Sequence, residues 1–169
     1  MEGFIRPSLR DFTWVDLYRK ILVTVDGSEH SKNVLEHAIT IATTFKAKLI
    51  MLAVVPRVMI PIFPDDGFGG VSLSSANYMA QFQEKNKELF QSVLDNAMIQ
   101  IKKEHPGLIV EAVLKEGRPS VTIIDFAENE GVDLIVMGSR GIGGYTGWLL
   151  GSTSRKVVDS CSKPVLIVK

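Results

Sequence analysis

The sequence predicts a doubly wound α/β domain: one sheet of five parallel strands with helices on both faces. Three observations lead there. Short aliphatic and β-branched runs recur without polar alternation, as in strands buried on both sides. Helical periods separate them, which gives the β-α-β order of a parallel sheet. A glycine-rich stretch follows the fourth run directly, where such sheets carry their ligand loops. The 169 residues suffice for one domain with a sizeable core.

The expected strands are Lys20–Asp26 (KILVTVD), Lys48–Val55 (KLIMLAVV), Leu108–Leu114 (LIVEAVL), Val132–Gly138 (VDLIVMG) and Pro164–Val168 (PVLIV). After the first, Val34, Leu35, Ala38, Ile39, Ala42 and Phe45 recur at helical spacing. A longer helix carries Phe82, Leu89, Phe90, Val93, Leu94, Ala97, Met98 and Ile101. Val121, Ile124 and Ala127 mark a third, with Pro119 suited to its first turn and Gly131 to its end. Ser152 to Cys161 holds a fourth, stopped by Pro164. Residues 1–16 read as an N-terminal extension to a domain over 17–169. There Ser8-x-x-Asp11 forms a possible capping box, and a helix or arm packed on the body is favoured over a binding role. Residues 56–77, with three prolines and three glycines, read as a long loop, either a lid over a ligand or an insertion.

Composition narrows the function. Nineteen basic residues balance nineteen acidic ones, so no overall field draws the chain to nucleic acid or an anionic membrane. One cysteine, Cys161, permits no intrachain disulfide and no cysteine zinc set; it reads as a small core residue. Arg6, Pro7, Arg10 and Asp11 interrupt any apolar leader, and no run reaches the roughly 18 apolar residues of a membrane span. The expected compartment is the cytoplasm, and no nucleic-acid or membrane partner is expected.

The chemistry lies in Gly138 to Ser154. Gly138, Gly141 and Gly151 are spaced G-x2-G-x9-G, and Ser152, Thr153 and Ser154 follow at a helix start. A polyphosphate is met by several backbone N–H groups at once, which needs a close, sharply bent main chain that glycine permits. A helix start adds unpaired N–H groups and a positive dipole end. The pattern is not a P-loop, since no lysine precedes Ser152. Nor is it a dinucleotide fingerprint: Thr146 stands where a third glycine would be needed, and the segment follows the fourth strand, not the first.

The chain resembles the universal stress protein family, in its ATP-binding branch. KILVTVDGSEHS at Lys20–Ser31, LAVV at Leu52–Val55, DLIVMGSRGIGGYTGWLLGSTS at Asp133–Ser154 and SKPVLIVK at Ser162–Lys169 carry the likeness. The resemblance covers about residues 18–169 and implies an adenine nucleotide alpha hydrolase-like fold with ATP between the first and fourth strands. It places Thr24, Val25 and Asp26 beside adenine and ribose, and Val54 at the adenine edge. It wraps Gly138, Ser139, Arg140, Gly141, Ile142, Gly143 and Gly144 around ribose and phosphates, and sets Gly151, Ser152, Thr153 and Ser154 on the distal phosphates. The family often has proline where Thr24 stands, at a backbone contact. The resemblance also implies a homodimer through the last strand, VLIV, an edge whose apolar character invites pairing.

Individual residues carry alternatives. Asp26 holds a ribose hydroxyl or metal-bound water, or caps the next helix; its place at a strand end favours the ligand side. Arg140 neutralises phosphate charge or is an exposed loop arginine. His30, His37 and His105 read as surface residues, and no set of side chains shows metal-ligand spacing, so a magnesium or manganese ion would be carried by the phosphates. Trp148 with Leu149 and Leu150 is an exposed patch or packs under the loop. The leading function is an ATP-dependent regulatory or stress-response protein. The alternative is a slow ATPase or nucleotidyl-transfer enzyme, for which Asp26 and Arg140 are the only candidates. A phosphoacceptor domain fits poorly, because the third strand ends without an aspartate.

Overall fold

The computed structural model describes residues 17–57, 73–141 and 150–169. Five parallel strands form one sheet: β1 (Lys20–Thr24), β2 (Lys48–Pro56), β3 (Val110–Gly117), β4 (Leu134–Gly138) and β5 (Val165–Val168). Four helices connect them: α1 (Glu29–Phe45), α2 (Leu73–Glu104), α3 (Pro119–Asn129) and α4 (Ser152–Ser160). The spatial order is β3-β2-β1-β4-β5. The chain winds outward from β1 to β3, then returns to place β4 on the other side of β1. The winding reverses between β1 and β4, and this is where an open α/β sheet leaves a crevice.

Successive strand residues point to opposite faces, and both faces are covered. Ile21 and Val23, Leu49 and Met51, and Leu134 and Val136 pack against α1 and α2. Leu22, Ile50, Leu52, Val54, Ile135 and Met137 pack against α3 and α4. The three inner strands therefore read as unbroken apolar runs, as a two-sided burial demands. Asp133 fixes the start of β1 from a distance: its Oδ2 accepts the backbone N–H of Arg19 at 2.8 Å and of Lys20 at 2.9 Å.

The expected third strand, Leu108–Leu114, is shifted. Leu108 donates its N–H to His105 in a turn, while pairing with β2 continues to Pro56 opposite Gly117. The apolar run misled here because β3 is an edge strand, where Glu111, Lys115 and Glu116 can face water. The expected loop over 56–77 is also cut back, since Pro56 ends β2 and α2 begins at Leu73. The small polar run Ser74-Ser75-Ala76-Asn77 carries no apolar period, so nothing local announced the helix. The rest of that loop and the N-terminal segment 1–16 lie outside the described residues, as do Trp148 and Leu149. Cys161 caps the C-terminus of α4 and is half-buried against the α3–α4 side of the core.

Candidate functional site

A cavity of about 490 Å³ opens at the carboxyl ends of β1 and β4. Eleven of the fifteen expected site residues line it. Ser139 does not; Ile142, Gly143 and Gly144 lie outside the described residues. Thr24, Val25 and Asp26 reach it from the end of β1, Val54 from β2, and Gly138, Arg140 and Gly141 from the end of β4. Gly151 and the first turn of α4 complete the wall. All three glycines of the G-x2-G-x9-G pattern thus meet at one cavity.

The two halves of the glycine segment are joined directly. The Gly151 N–H donates to Ser139 O at 2.8 Å, and the Ser154 hydroxyl donates to Gly138 O at 2.7 Å. Ser154 is 4% exposed, and its donor is spent on this latch. The expectation that its hydroxyl holds a phosphate is therefore revised: the side chain fastens the helix start to the strand end. Ser139 likewise acts through its backbone, donating to Val168 O at 2.7 Å and accepting from Gly151. Among the described residues no side chain caps α4 at Gly151, and Gly151 to Ser154, which open the helix, line the cavity.

Close packing explains the glycines. A Cβ on Gly138 would stand 2.8 Å from Arg140 O, and one on Gly141 would stand 2.5 Å from Asp26 Oδ2. Asp26 divides its two oxygens. Oδ1 accepts the Ser28 N–H at 3.0 Å and the Ser31 hydroxyl at 2.5 Å, which secures the turn into α1. Oδ2 is left at the Gly141 turn beside the cavity. Asp26 thus secures the turn before α1 without capping the helix itself, and its second oxygen lies on the cavity side.

Arg140 is half-buried in the cavity wall. His37 bonds Asn33 O through Nδ1 on the exposed face of α1, and His30 is exposed. No cluster of three or more metal-ligating side chains occurs among the described residues. The sequence did not point to Leu52, Phe90, Pro119, Ile123 or Met137, which also line the cavity. Pro119 opens α3 directly after β3, so the strand-end rule could have found it. Leu52, Ile123 and Met137 carry only the signal of core residues, and Phe90 comes from a helix that nothing local ties to the site.

Sequence comparison agrees with this architecture. The sequence model of the universal stress protein family matches residues 17–169. The chain belongs to the universal stress protein family. A universal stress protein of Methanocaldococcus jannaschii is 34% identical over 159 residues, covering 90% of this chain and 96% of the relative. One from Bacillus subtilis is 31% identical over 153 residues, 90% of this chain and all of the relative. Among solved structures, a universal stress protein of Lactobacillus plantarum shares the fold at a TM-score of 0.72 and 24% identity, covering 90% of this chain and 98% of that one. A universal stress protein solved in complex with cAMP superposes at a TM-score of 0.62 with 27% identity, over 90% of this chain and 98% of its own. No helix among the described residues of this universal stress protein is long and apolar enough to cross a membrane.

Proposed function

We propose that this protein is an ATP-binding regulatory protein of the stress response, which acts in the cytoplasm as a homodimer whose state follows the bound nucleotide. The observation that carries the reading is the joined cradle at the β1–β4 crevice. Gly138 and Gly141 bring the backbone close, the first turn of α4 presents N–H groups, and Arg140 adds a cation. These are the groups a polyphosphate requires. Leu52, Val54, Ile123 and Met137 supply an apolar wall suited to a purine. The cAMP complex of a relative supports an adenine nucleotide as the ligand class. Asp26 Oδ2 would take a ribose hydroxyl, or water on a magnesium or manganese ion carried by the phosphates.

Calorimetry of the purified protein with ATP, ADP and cAMP tests this. Saturable ATP binding, weakened at least about tenfold by Gly141→Ala, is expected. No ATP binding at millimolar nucleotide refutes the reading, and tighter cAMP than ATP binding replaces the ligand. Mass spectrometry of what the denatured protein releases adds an independent check.

The dimer reading rests on the unequal sheet edges. β3 carries Lys115 and Glu116 just before its last residue, and Glu111 paired with Lys48 at 2.5 Å, charges that discourage strand addition. β5 is Val-Leu-Ile-Val throughout. Pro164 O and Val168 O turn inward to Ile135 N and Ser139 N, so by alternation the N–H and C=O of Val165 and Ile167 turn outward. A second copy pairing there would satisfy them.

A further inference from the structure

In parallel strands held in register, side chains at one level on one face form a row across the sheet. On the face covered by α3 and α4, one such row is Val113, Leu52, Thr24, Met137 and Ile167. Val113 pairs with Leu52, Leu52 with Thr24, and Met137 with Ile167. Val23 pairs with Val136, which sets Thr24 level with Met137. The other four members are apolar and belong to the core on that side. Thr24 alone brings a polar atom to the row. Its neighbours Leu52 and Met137 are buried, whereas Thr24 is half-buried and lines the first cavity. Its hydroxyl makes no hydrogen bond to another described residue.

This hydroxyl lies among the apolar side chains assigned above to the purine. The backbone of β2 ends its pairing with β1 at the same place. Arg19 O accepts the Lys48 N–H, and Leu52 O accepts the Val25 N–H, so alternate residues of β2 from Lys48 turn their backbone groups toward β1. Val54 is the next of these, and β1 has ended at Thr24, so its N–H and C=O open on the cavity that it lines. One donor beside one acceptor matches N1 and the amino group of adenine. The ring acceptors left over are N3 and N7, which take a donor, and within the row only the Thr24 hydroxyl can give one. A ring laid over that hydroxyl strips its water, so the ligand must replace the bond or lose affinity.

We propose that the Thr24 hydroxyl is a specificity-determining group of the nucleotide site, donating a hydrogen bond to a ring nitrogen, N3 or N7, of the purine. The inference rests on the nucleotide reading above and adds a side-chain contact to it. The resemblance implied only a backbone contact at Thr24, so the hydroxyl contact belongs to this chain.

Calorimetry with ATP, 7-deaza-ATP and 3-deaza-ATP on the wild type, Thr24→Val and Thr24→Ser tests it. Valine keeps the branched shape and removes the hydroxyl; serine keeps the hydroxyl. Thr24→Val weakens ATP about fivefold or more, and Thr24→Ser holds it within about twofold. One of the two analogues binds the wild type about fivefold or more weaker than ATP, and that difference disappears in Thr24→Val. Wild-type protein that binds both analogues as tightly as ATP overturns the proposal without recourse to any variant. Equal ATP affinity in the wild type and Thr24→Val, or an analogue penalty as large in Thr24→Val as in the wild type, also overturns it. These three outcomes leave the nucleotide reading standing, whereas wild-type protein that takes no ATP refutes both.

Discussion

Replacing Gly141 with alanine probes the contact on which the cradle turns. Gly141 is not among the glycines with positive φ, so the alanine backbone itself is allowed. The new Cβ, however, would stand 2.5 Å from Asp26 Oδ2. A carbon–oxygen contact needs about 3.3 Å, so one partner must retreat by roughly 0.8 Å. If Asp26 gives way, its bonds to the Ser28 N–H and the Ser31 hydroxyl are strained. Hydrogen bonds to a charged group are worth about 1.5–3 kcal/mol, and because Asp26 is only half-buried, water recovers part of this; a net loss of about 1–2 kcal/mol is expected. If the turn gives way, the cradle opens and ATP affinity falls at least about tenfold, near 1.4 kcal/mol. Urea unfolding and calorimetry on Gly141→Ala, Asp26→Ala and the double variant separate these routes. Without the carboxylate there is no clash, so in the Asp26→Ala background the Gly141→Ala step should cost less than about 0.5 kcal/mol. Equal cost in both backgrounds, or no effect on either measurement in the Asp26 background, refutes the reasoning.

Three further substitutions test other parts of the structure. Asp133→Ala removes the acceptor of two backbone N–H groups at the start of β1 and should lower the urea-unfolding free energy by about 1–3 kcal/mol, with ATP affinity unchanged. Ser154→Ala leaves the Gly138 carbonyl without its hydroxyl partner, costing about 1–3 kcal/mol by the same assay, whereas a hydroxyl serving only the phosphate would change affinity and not stability. Ile167→Pro removes an N–H that points away from β4, so sedimentation should show the dimer dissociating while circular dichroism keeps the folded spectrum; an unchanged dimer rules out pairing along β5.

The inner strands were legible because two-sided burial leaves a plain mark, a run with no polar interruption. Leu22 faces one layer and Ile21 the other, and neither can be polar. β3 was misplaced for the complementary reason: at an edge, a strand's limits follow its backbone pairing, and Leu108 lost that pairing to a turn. The start of α2 at Leu73 had no local signature, since the residues that open it carry no apolar period. The site was legible where backbone chemistry demands a residue type, at Gly138, Gly141 and the α4 start. Phe90 and Ile123 were not, because a side chain that walls a cavity from a distant helix looks in sequence like any other core residue.

The latch between the two halves of the glycine segment bears on how such a site binds. Residues 138–139 and 151–154 are far apart in sequence, yet Gly151 N–H to Ser139 O and Ser154 Oγ to Gly138 O join them across the base of the cavity. The strand end is itself tied to β5, through Ser139 N–H to Val168 O. The N–H groups at the start of α4 are therefore held in place by the core rather than gathered by the ligand. Preorganisation of this kind spares a ligand the cost of ordering the backbone it binds. It also links the cradle to β5, the strand at which the proposed dimer would form, by one hydrogen bond. In the proposed reading, this is the contact through which a nucleotide at the cradle would bear on pairing along β5.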